Sequence, residues 1–501
     1  MIQWRRKRLL AASLVVIMLT ASLASCGEHG DAQDTTAAGI ETTAAPETTS
    51  EYDANGYLRS SIPDDLDYGK IEFNILAREL STPEYFTEAQ TGDVVQDAVY
   101  KRNLSVEESL GVTLKYTTML GSGSAHTEFS QHVINNILAQ SQSFDLLACY
   151  PKSSSTLMHG GYLVDLMEVE YLDFEKPWWP QALIEELSVN NKLFVCSGDI
   201  ATSMLYHMCF IVYNNELGDK YGLENPQRMA LDGKWTLEAM QTMMKGVYAD
   251  LDGDGKKSVY DQYGLYSLGH AGLDKFYTGS GMSYIDVNAD GDFVLSSDYF
   301  SDKSIALVDQ LNTMYYNSND GFFTTSTETD ELRKEGRSLM YDIYGSQLTA
   351  NICFGEFSYC ILPTPKYDEN QESYYTAIRF GQNVYCIPMN SRDESMSGAV
   401  LEALCAEAYR TTTPALFESG YKYRYSQNPL DAECFELIRS SIVSERCALL
   451  MYEEMGGDSN SPVRVWRNVI IENNNRLASY SKMFEKGWAK RLDTINTNFD
   501  K

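Results

Sequence analysis

The sequence predicts an α/β fold built on mostly parallel sheets, ending in a helical C-terminal region. Three observations carry this. Strand and helix periodicities alternate between residues 71 and 150, a second strand-and-helix unit opens near Leu205, and the chain from about residue 395 onward is largely helical in pattern.

In the first unit, Ile71, Phe73 and Ile75 alternate with polar positions and read as a strand. Val95, Val99, Val106 and Leu110 recur at helical spacing, and Gly111 stands where that helix should stop. Val112–Thr118 is a second strand, and Phe129, Val133, Ile134, Ile137 and Leu138 mark an amphipathic helix with Thr127 placed to cap it. Phe144–Tyr150 is a third, more buried strand. This order favours a parallel, doubly wound sheet, whose ligands sit beyond the strand carboxyl ends. The second unit begins with an apolar strand over Leu205–Tyr213, followed by helical patterns around 235–249 and 302–316. Leu339–Ile343, Phe357–Leu362 and Val384–Ile387 are further strands. Nothing repeats at a period of 20–50 residues, which excludes a solenoid.

The chain has 501 residues, enough for about three domain-sized units or two large lobes. With 70 acidic and 40 basic side chains, its net charge of −30 argues against nucleic acid, whose phosphates need a basic footprint. Aromatic residues make up 12%, a surplus that calls for a use. Arg5, Arg6, Lys7 and Arg8 precede an apolar run from Leu9 to Ala24, a secretory pattern too short to favour a spanning helix. It ends in Leu23-Ala24-Ser25-Cys26-Gly27, similar to the bacterial lipobox in which Cys26 is acylated. A soluble secreted protein cut nearby, or an uncleaved anchor, is the alternative. Gly27–Asn55 carries seven acids, no Lys or Arg, and Thr-Thr-Ala-Ala runs, the composition of a disordered tether. As a flexible coil it spans roughly 30 Å. The nine cysteines after Cys26 include no Cys-x-x-Cys pair and lie mostly in apolar runs, so they read as buried free thiols.

Catalytic signatures are sparse. The six His residues form no metalloprotease spacing, and neither Gly121-Ser122-Gly123 nor Gly279-Ser280-Gly281 is a nucleophile elbow. Gly255-Lys256-Lys257-Ser258 lacks the preceding glycine of a P-loop. A carboxylate pair for glycoside cleavage stays open, because its spacing is set in three dimensions. One motif carries a mechanism. Asp250, Asp252, Asp254, Ser258 and Asp261 put oxygens at positions 1, 3, 5, 9 and 12 of an EF-hand-type loop, Gly255 stands at position 6, and Lys256 adds a backbone carbonyl. Structural Ca²⁺ is the expected cofactor, and an acidic surface turn without metal is the alternative. Asp286-Val287-Asn288-Ala289-Asp290-Gly291 looks alike but has Val294 and Ser297 at the later positions, so it reads as a hairpin turn.

The chain resembles the extracellular solute-binding proteins of bacterial ABC importers, in their sugar-binding branch. The resemblance runs through Leu172–Trp179, Asn191–Phe194 with Gly198-Asp199, Val212-Tyr213-Asn214, Gly233–Leu237, Asp261–Gly264, Leu362–Tyr367 and the tail from Leu437 to Asn496. It implies a two-lobe periplasmic-binding-protein-like fold that closes on its ligand by a hinge. The implied organisation is a leader over 1–25, the tether over 26–55, lobe one over 56–203 and lobe two over 204–325 with the loop at 250–261. A return to lobe one over 326–366 and a return to lobe two over 367–501 complete it, with crossings near 200–205, 320–330 and 365–380. The implied function is capture of a carbohydrate, an oligosaccharide, and its delivery to ABC permease subunits by a lipid-anchored monomer that performs no chemistry. A peptide or another solute on the same architecture, a surface glycan-degrading enzyme and a dockerin-type scaffold component are the rivals.

Sugar rings present apolar faces that lie on aromatic side chains, and their hydroxyls need acids, amides and guanidinium groups. On that basis Tyr341, Tyr344, Trp178, Trp179, Trp466 and Trp235 are the aromatic candidates, each weighed against a place in the core. Asp199, Asp342, Arg379 and Asn383 are the polar candidates near the crossings, and a pair such as Asp199 and Asp342 favours neutral or cationic solutes over uronates.

Overall fold

In the computed structural model, which describes residues 51–53, 55–326, 330–350 and 357–499, the first alternation forms as its periodicity requires. Strands β1 (Ile71–Arg78), β2 (Val112–Met119) and β3 (Leu146–Cys149) are parallel, with Ile71 opposite Val112 and Ile75 opposite Leu146. Helix α1 (Val94–Leu110) joins β1 to β2; Asp93 caps it by accepting from the amides of Val95 and Gln96. Gly111 ends it at φ +61°, where an added Cβ would sit 1.8 Å from Asp67, so only glycine fits. Helix α2 (His126–Leu138) joins β2 to β3 and starts from a 3₁₀ turn at Gly123–Ala125. Thr127 therefore lies inside the first turn rather than at the cap expected for it, and no side chain caps this helix. After β3 the chain enters α3 (Pro151–His159).

The second unit starts later than its apolar run suggests. Residues 202–207 form helix α4 (Thr202–His207), and only Cys209–Asn214 makes the fully buried strand β4. Helix α5 (Leu237–Met244), strand β5 (Tyr263–Leu268), helix α6 (Ala271–Gly279) and helix α7 (Asp302–Asn312) follow. A hairpin pairs Ile285–Val287 with Phe293–Leu295, turning at Gly291 as expected. Strand β6 (Gly321–Thr324), strand β7 (Ser338–Tyr344), the short helix α8 (Gly345–Thr349) and strand β8 (Tyr359–Leu362) complete a sheet ordered β8-β4-β7-β5-β6. Strand β9 (Thr376–Ala377) then leads to β10 (Val384–Cys386), which returns to the first sheet antiparallel to β3. The first sheet is ordered β10-β3-β1-β2.

This pairing corrects the domain boundaries. The stretch 326–366, expected to return to lobe one, contributes β7 and β8 to the second sheet, where β7 lies between β4 and β5. The all-apolar core of Leu339-Met340-Tyr341 is the signature of a strand covered on both faces, hence a central one. The return comes at β10, so the expected crossing near 320–330 does not occur. Helix α9 (Glu394–Arg410) then packs on α1, and α10 (Pro429–Ser440) packs on β8 of the other lobe. Strand β11 (Ile442–Val443), helix α11 (Pro462–Ile471) and helix α12 (Glu485–Phe499) finish the helical region. Tyr52–Lys501 form one compact unit.

The leader-like run, Cys26, most of the tether and Cys353 lie outside the described residues. Every described cysteine is buried and free, and the Cys149 and Cys386 sulfurs lie 3.9 Å apart across β3 and β10. Among the described residues, no helix is long and apolar enough to cross a membrane.

Candidate functional site

The two sheets are linked by two crossing segments that run side by side. Met208 bridges Ile378 antiparallel, the Arg379 amide donates to the His207 carbonyl at 2.9 Å, and Cys196 bridges Tyr385. Backbone bonds between the crossings make them a single hinge element rather than independent tethers. Beside this hinge the carboxyl ends of β1, β3, β5 and β7 deliver Arg78, Tyr150, His270 and Tyr344, where doubly wound folds hold their ligands.

Ring and cation contacts gather in separate groups around these residues. The Tyr344 ring lies nearly parallel to His207, centroids 6.2 Å apart, and the Arg379 guanidinium sits 4.6 Å from the Tyr344 centroid. On the other side, Arg78 lies 5.2 Å from the Tyr150 ring, and Phe380 lies 6.5 Å from Tyr150 and 5.2 Å from Tyr452. Lys152, at the start of α3, stacks on Tyr452 at 4.6 Å and pairs with Glu453 at 2.6 Å and Asp458 at 3.3 Å. Arg464, in the first turn of α11, reaches His270 at 3.3 Å. His207 Nδ1 lies 2.7 Å from the Ser203 carbonyl and so carries the proton. Burial, reinforced by the Arg379 and Arg78 guanidiniums against that bond, pushes the His207 pKa down to about 4, so the ring is neutral at pH 7. A cavity of about 620 Å³ opens beside His207, between the segment after β1 (Leu80, Ser81), the hinge (Ser203) and α8 (Ser346, Thr349). Its size suits a small ligand.

Glu84 ties this arrangement together. Its carboxylate is 4% exposed and accepts from the Ser203 amide at 2.6 Å, Thr202 at 3.3 Å, Asn383 Nδ2 at 2.7 Å and the Tyr385 hydroxyl at 2.7 Å. Residues of both crossings thus converge on one side chain from the segment between β1 and α1.

The structure sets Tyr344 and Arg379 beside His207 at the crossings, although of these three only His207 lines the cavity of about 620 Å³, and it gives the other candidates other partners. Trp178 and Trp179 are buried and donate their indole N–H groups to Glu402 at 3.1 and 3.0 Å. Trp235 donates to the Pro363 carbonyl at 3.0 Å, and Trp466 packs edge-on against Tyr277. Tyr341 points to the opposite face of β7 from its neighbours, stacks on Phe357 and accepts from the Ser338 amide at 2.7 Å. All five are core aromatics, because so large an apolar area is better placed out of water. The acids change role as well. Asp342 is buried against Lys275 at 3.4 Å and accepts from the Leu268 amide. Asp199 is buried outside the ring cluster, and burial raises its pKa to about 7, against Arg439 and Thr413. Asn383 is fully buried on Glu84. Sequence reasoning missed Arg78, Tyr150, Lys152, His207, His270, Arg464 and Glu84. The strand-end rule identifies Tyr150 and His270 once β3 and β5 are placed, whereas nothing in the sequence of the short helical turn Thr82–Tyr85 marks Glu84.

The acidic loop has the shape its spacing calls for. Carboxylate oxygens of Asp250, Asp252 and Asp254 lie within 4.8 Å of one another on the surface. Asp250 accepts from the amides of Gly253 and Gly255, both at positive φ, and Ser258 Oγ lies 3.2 Å from Asp252. Asp261 is fully buried and accepts from the Leu251 and Ser258 amides, closing the loop. Lys257 anchors it by donating to the carbonyls of Tyr315, Ser318 and Gly321 at 2.8, 2.9 and 2.6 Å. The donors are hard oxygens, the set Ca²⁺ takes, and a carboxylate that accepts amide bonds retains lone pairs for a cation.

No family model and no curated protein matches the sequence. Solved structures do match over most of its length. The galacto-N-biose/lacto-N-biose I-binding protein of the ABC transporter from Bifidobacterium longum, in complex with lacto-N-biose, superposes with a TM-score of 0.57 at 13% identity. It covers 86% of this chain and 98% of its own. The GacH receptor of Streptomyces glaucescens, solved unliganded and with acarbose, gives 0.53 at 15% identity, over 85% and 99%. UgpB from Mycobacterium tuberculosis, in complex with glycerophosphocholine, gives 0.51 at 14% identity, over 86% and 98%. The chain has the two-lobe α/β fold of these proteins.

Proposed function

We propose that this chain is a solute-binding protein that takes a carbohydrate, an oligosaccharide, into the cleft between its two lobes and hands it to an ABC permease. The observation that carries the proposal is the cluster of Tyr344, Arg379, His207 and Tyr150 at the strand carboxyl ends beside the paired crossings. Rings and polar forks gathered beside the crossings are what a sugar needs, and a pair of crossings is what closure needs. No chemical step is assigned: the work is done by the difference in affinity between open and closed states, and the permease recognises the closed one. The neighbours that share this fold bind lacto-N-biose and acarbose, which supports the ligand class. The lipobox-like run ending at Cys26 supports the remaining part of the reading, in which acylation of Cys26 would hold the protein as a monomer at the outer face of the cell membrane.

The test is a thermal-shift screen of the purified protein against oligosaccharides, peptides and polyamines. Ligand that binds the folded form must raise its melting temperature by mass action. One glycan family raising it, with Tyr344→Ala weakening the binding about 10-fold or more, is the expected result. A response to peptides or polyamines alone would retain the fold and remove the sugar. Hydrolysis of the glycan during the assay would make the protein an enzyme.

The loop at 250–261 is proposed to hold structural Ca²⁺ through Asp250, Asp252, Asp254, the Lys256 carbonyl, Ser258 and Asp261. At 100 times its dissociation constant, calcium stabilises by about 2.7 kcal/mol, which in a chain this long raises Tm by roughly 3 °C. Asp252→Ala should abolish that increment. A Tm indifferent to both calcium and chelator would overturn the assignment.

A further inference from the structure

We infer that Lys275 and Asp342 together form a subsite that reads one neutral hydroxyl group of the captured solute, at the carboxyl ends of β5 and β7 beside Tyr344. The inference rests on the carbohydrate reading of the cleft, and it assigns one polar contact within that reading.

The two residues make an ion pair without a hydrogen bond. Lys275, in the second turn of α6, and Asp342, near the end of β7, are 1% and 5% exposed, with Nζ and Oδ2 3.4 Å apart. Neither of these atoms has a hydrogen-bond partner. Other buried cations differ. Arg467 meets Asp274 through bonds of 2.7 and 2.6 Å, Lys257 donates to three carbonyls, and Arg102 donates to the carbonyls of Glu84 and Tyr85. Among the described residues, no other lysine ammonium is buried without a hydrogen bond, and Lys275 has beside it the Phe276 ring at 4.8 Å. Leaving buried charged atoms unmatched is costly, which marks the pair as a place that another group completes.

That group has room. A cavity of about 10 Å³, enough for one group the size of a water molecule, is lined by Lys275, Asp342, Tyr344, Gln347, Leu268 and Cys209. Asp342 Oδ1 is taken by the Leu268 amide at 3.1 Å, so Oδ2 is the oxygen left over. Gly272 keeps that oxygen uncovered, because a Cβ there would stand 2.2 Å from it. Gln347 Oε1 accepts from the Tyr344 amide at 3.2 Å and fixes the wall next to the ring.

The two walls select the occupant by charge and by proton. An ammonium only donates and a carboxylate only accepts, so a single group that accepts from Lys275 and donates to Asp342 completes both. A hydroxyl does this at the size of the cavity. A protonated amine would face Lys275 and an acid would face Asp342, and like charges in a buried site are disfavoured. Water satisfies the same walls, and a solute hydroxyl that reproduces both bonds replaces it without loss. The position favours the solute: the cavity shares Tyr344 with the ring cluster, and a sugar lying on that ring carries hydroxyls around its edge. The sequence offered Asp342 as part of an acidic pair for neutral or cationic solutes; Lys275 removes the cationic half of that expectation.

The test is isothermal titration of the purified protein with maltotriose, cellotriose, xylotriose and lacto-N-biose, followed by the monodeoxy and monoamino derivatives of whichever binds tightest. At one hydroxyl position, removal and replacement by an amine are each expected to weaken binding about 10-fold or more, because the buried pair is then left unmatched. Lys275→Met combined with Asp342→Asn should level the difference at that position. Gly272→Ala, whose methyl group stands against Asp342 Oδ2, gives the same readout without touching either charge, should the double variant fail to fold. A profile flat across all deoxygenated positions, or a difference that survives in these variants, would overturn the inference while leaving the carbohydrate site standing. Binding of none of the glycans would overturn the underlying function instead.

Discussion

Glu84→Ala is expected to lower unfolding free energy by about 3–5 kcal/mol, the cost of leaving several buried donors facing an empty acceptor site. The donors are the Ser203 amide, Thr202, Asn383 and Tyr385, so the loss falls on the two crossings. The variant should therefore show more than a lower denaturation midpoint. Amides of residues 202–208 and 378–385 should exchange faster than those of β1 and β3, because the hinge loses its common anchor before either sheet does. Glu84→Gln, which keeps one acceptor oxygen and exchanges the other for a donor, should fall between. A midpoint shift below about 1 kcal/mol in the alanine variant would show that backbone pairing at Met208 and Ile378 holds the crossings unaided.

Glu402→Ala is expected to cost about 3 kcal/mol, since the Trp178 and Trp179 indoles both donate to this buried carboxyl. The same residue gives a signed pH effect. Burial, opposed by the indole bonds, raises its pKa to about 7 in the folded state, above its unfolded value near 4.5. The folded state holds a proton that the unfolded chain releases. Its contribution to stability is complete below about pH 4.5 and is lost as pH rises through about 7. Measured against Glu402→Gln to cancel the histidines, the wild type should lose about 1–3 kcal/mol between pH 5 and pH 8. A difference that stays flat over that window would mean the carboxyl is ionised throughout. Because these indoles are sealed on Glu402, their fluorescence should stay unchanged when a solute binds. A ligand-dependent shift assigned to Trp178 would restore it to the cleft.

Much of this protein was legible as pattern. Alternation at Ile71–Ile75, helical spacing from Val95 to Leu110 and the stop at Gly111 each follow from local geometry, and each element forms where those residues stand. The hairpin at Asn288–Gly291 and the curled loop from Asp250 to Asp261 were legible for the same reason: side-chain oxygens and positive-φ glycines act within a few residues. Of the residues the sequence offered for the site, only Tyr344 and Arg379 fall in the ring cluster at the crossings. Trp178, Trp179, Trp235, Trp466 and Tyr341 carry the same chemistry as a sugar platform, and composition does not tell a platform from a core residue. What separates them is whether another element covers the ring, as α9 brings Glu402 over two of them from more than 200 positions away.

By itself, then, the sequence determined the elements, the α/β class, the curl of the acidic loop and the acidic surplus, all properties of neighbours along the chain. Tertiary structure alone decided which sheet β7 and β8 join and which aromatic rings stay open. It also decided that Asp342 meets Lys275, and that Glu84, Asn383 and Tyr385 meet at the hinge. These are contacts between residues far apart in the chain, fixed by the burial of whole faces, and the spacing of any one segment carries no record of them.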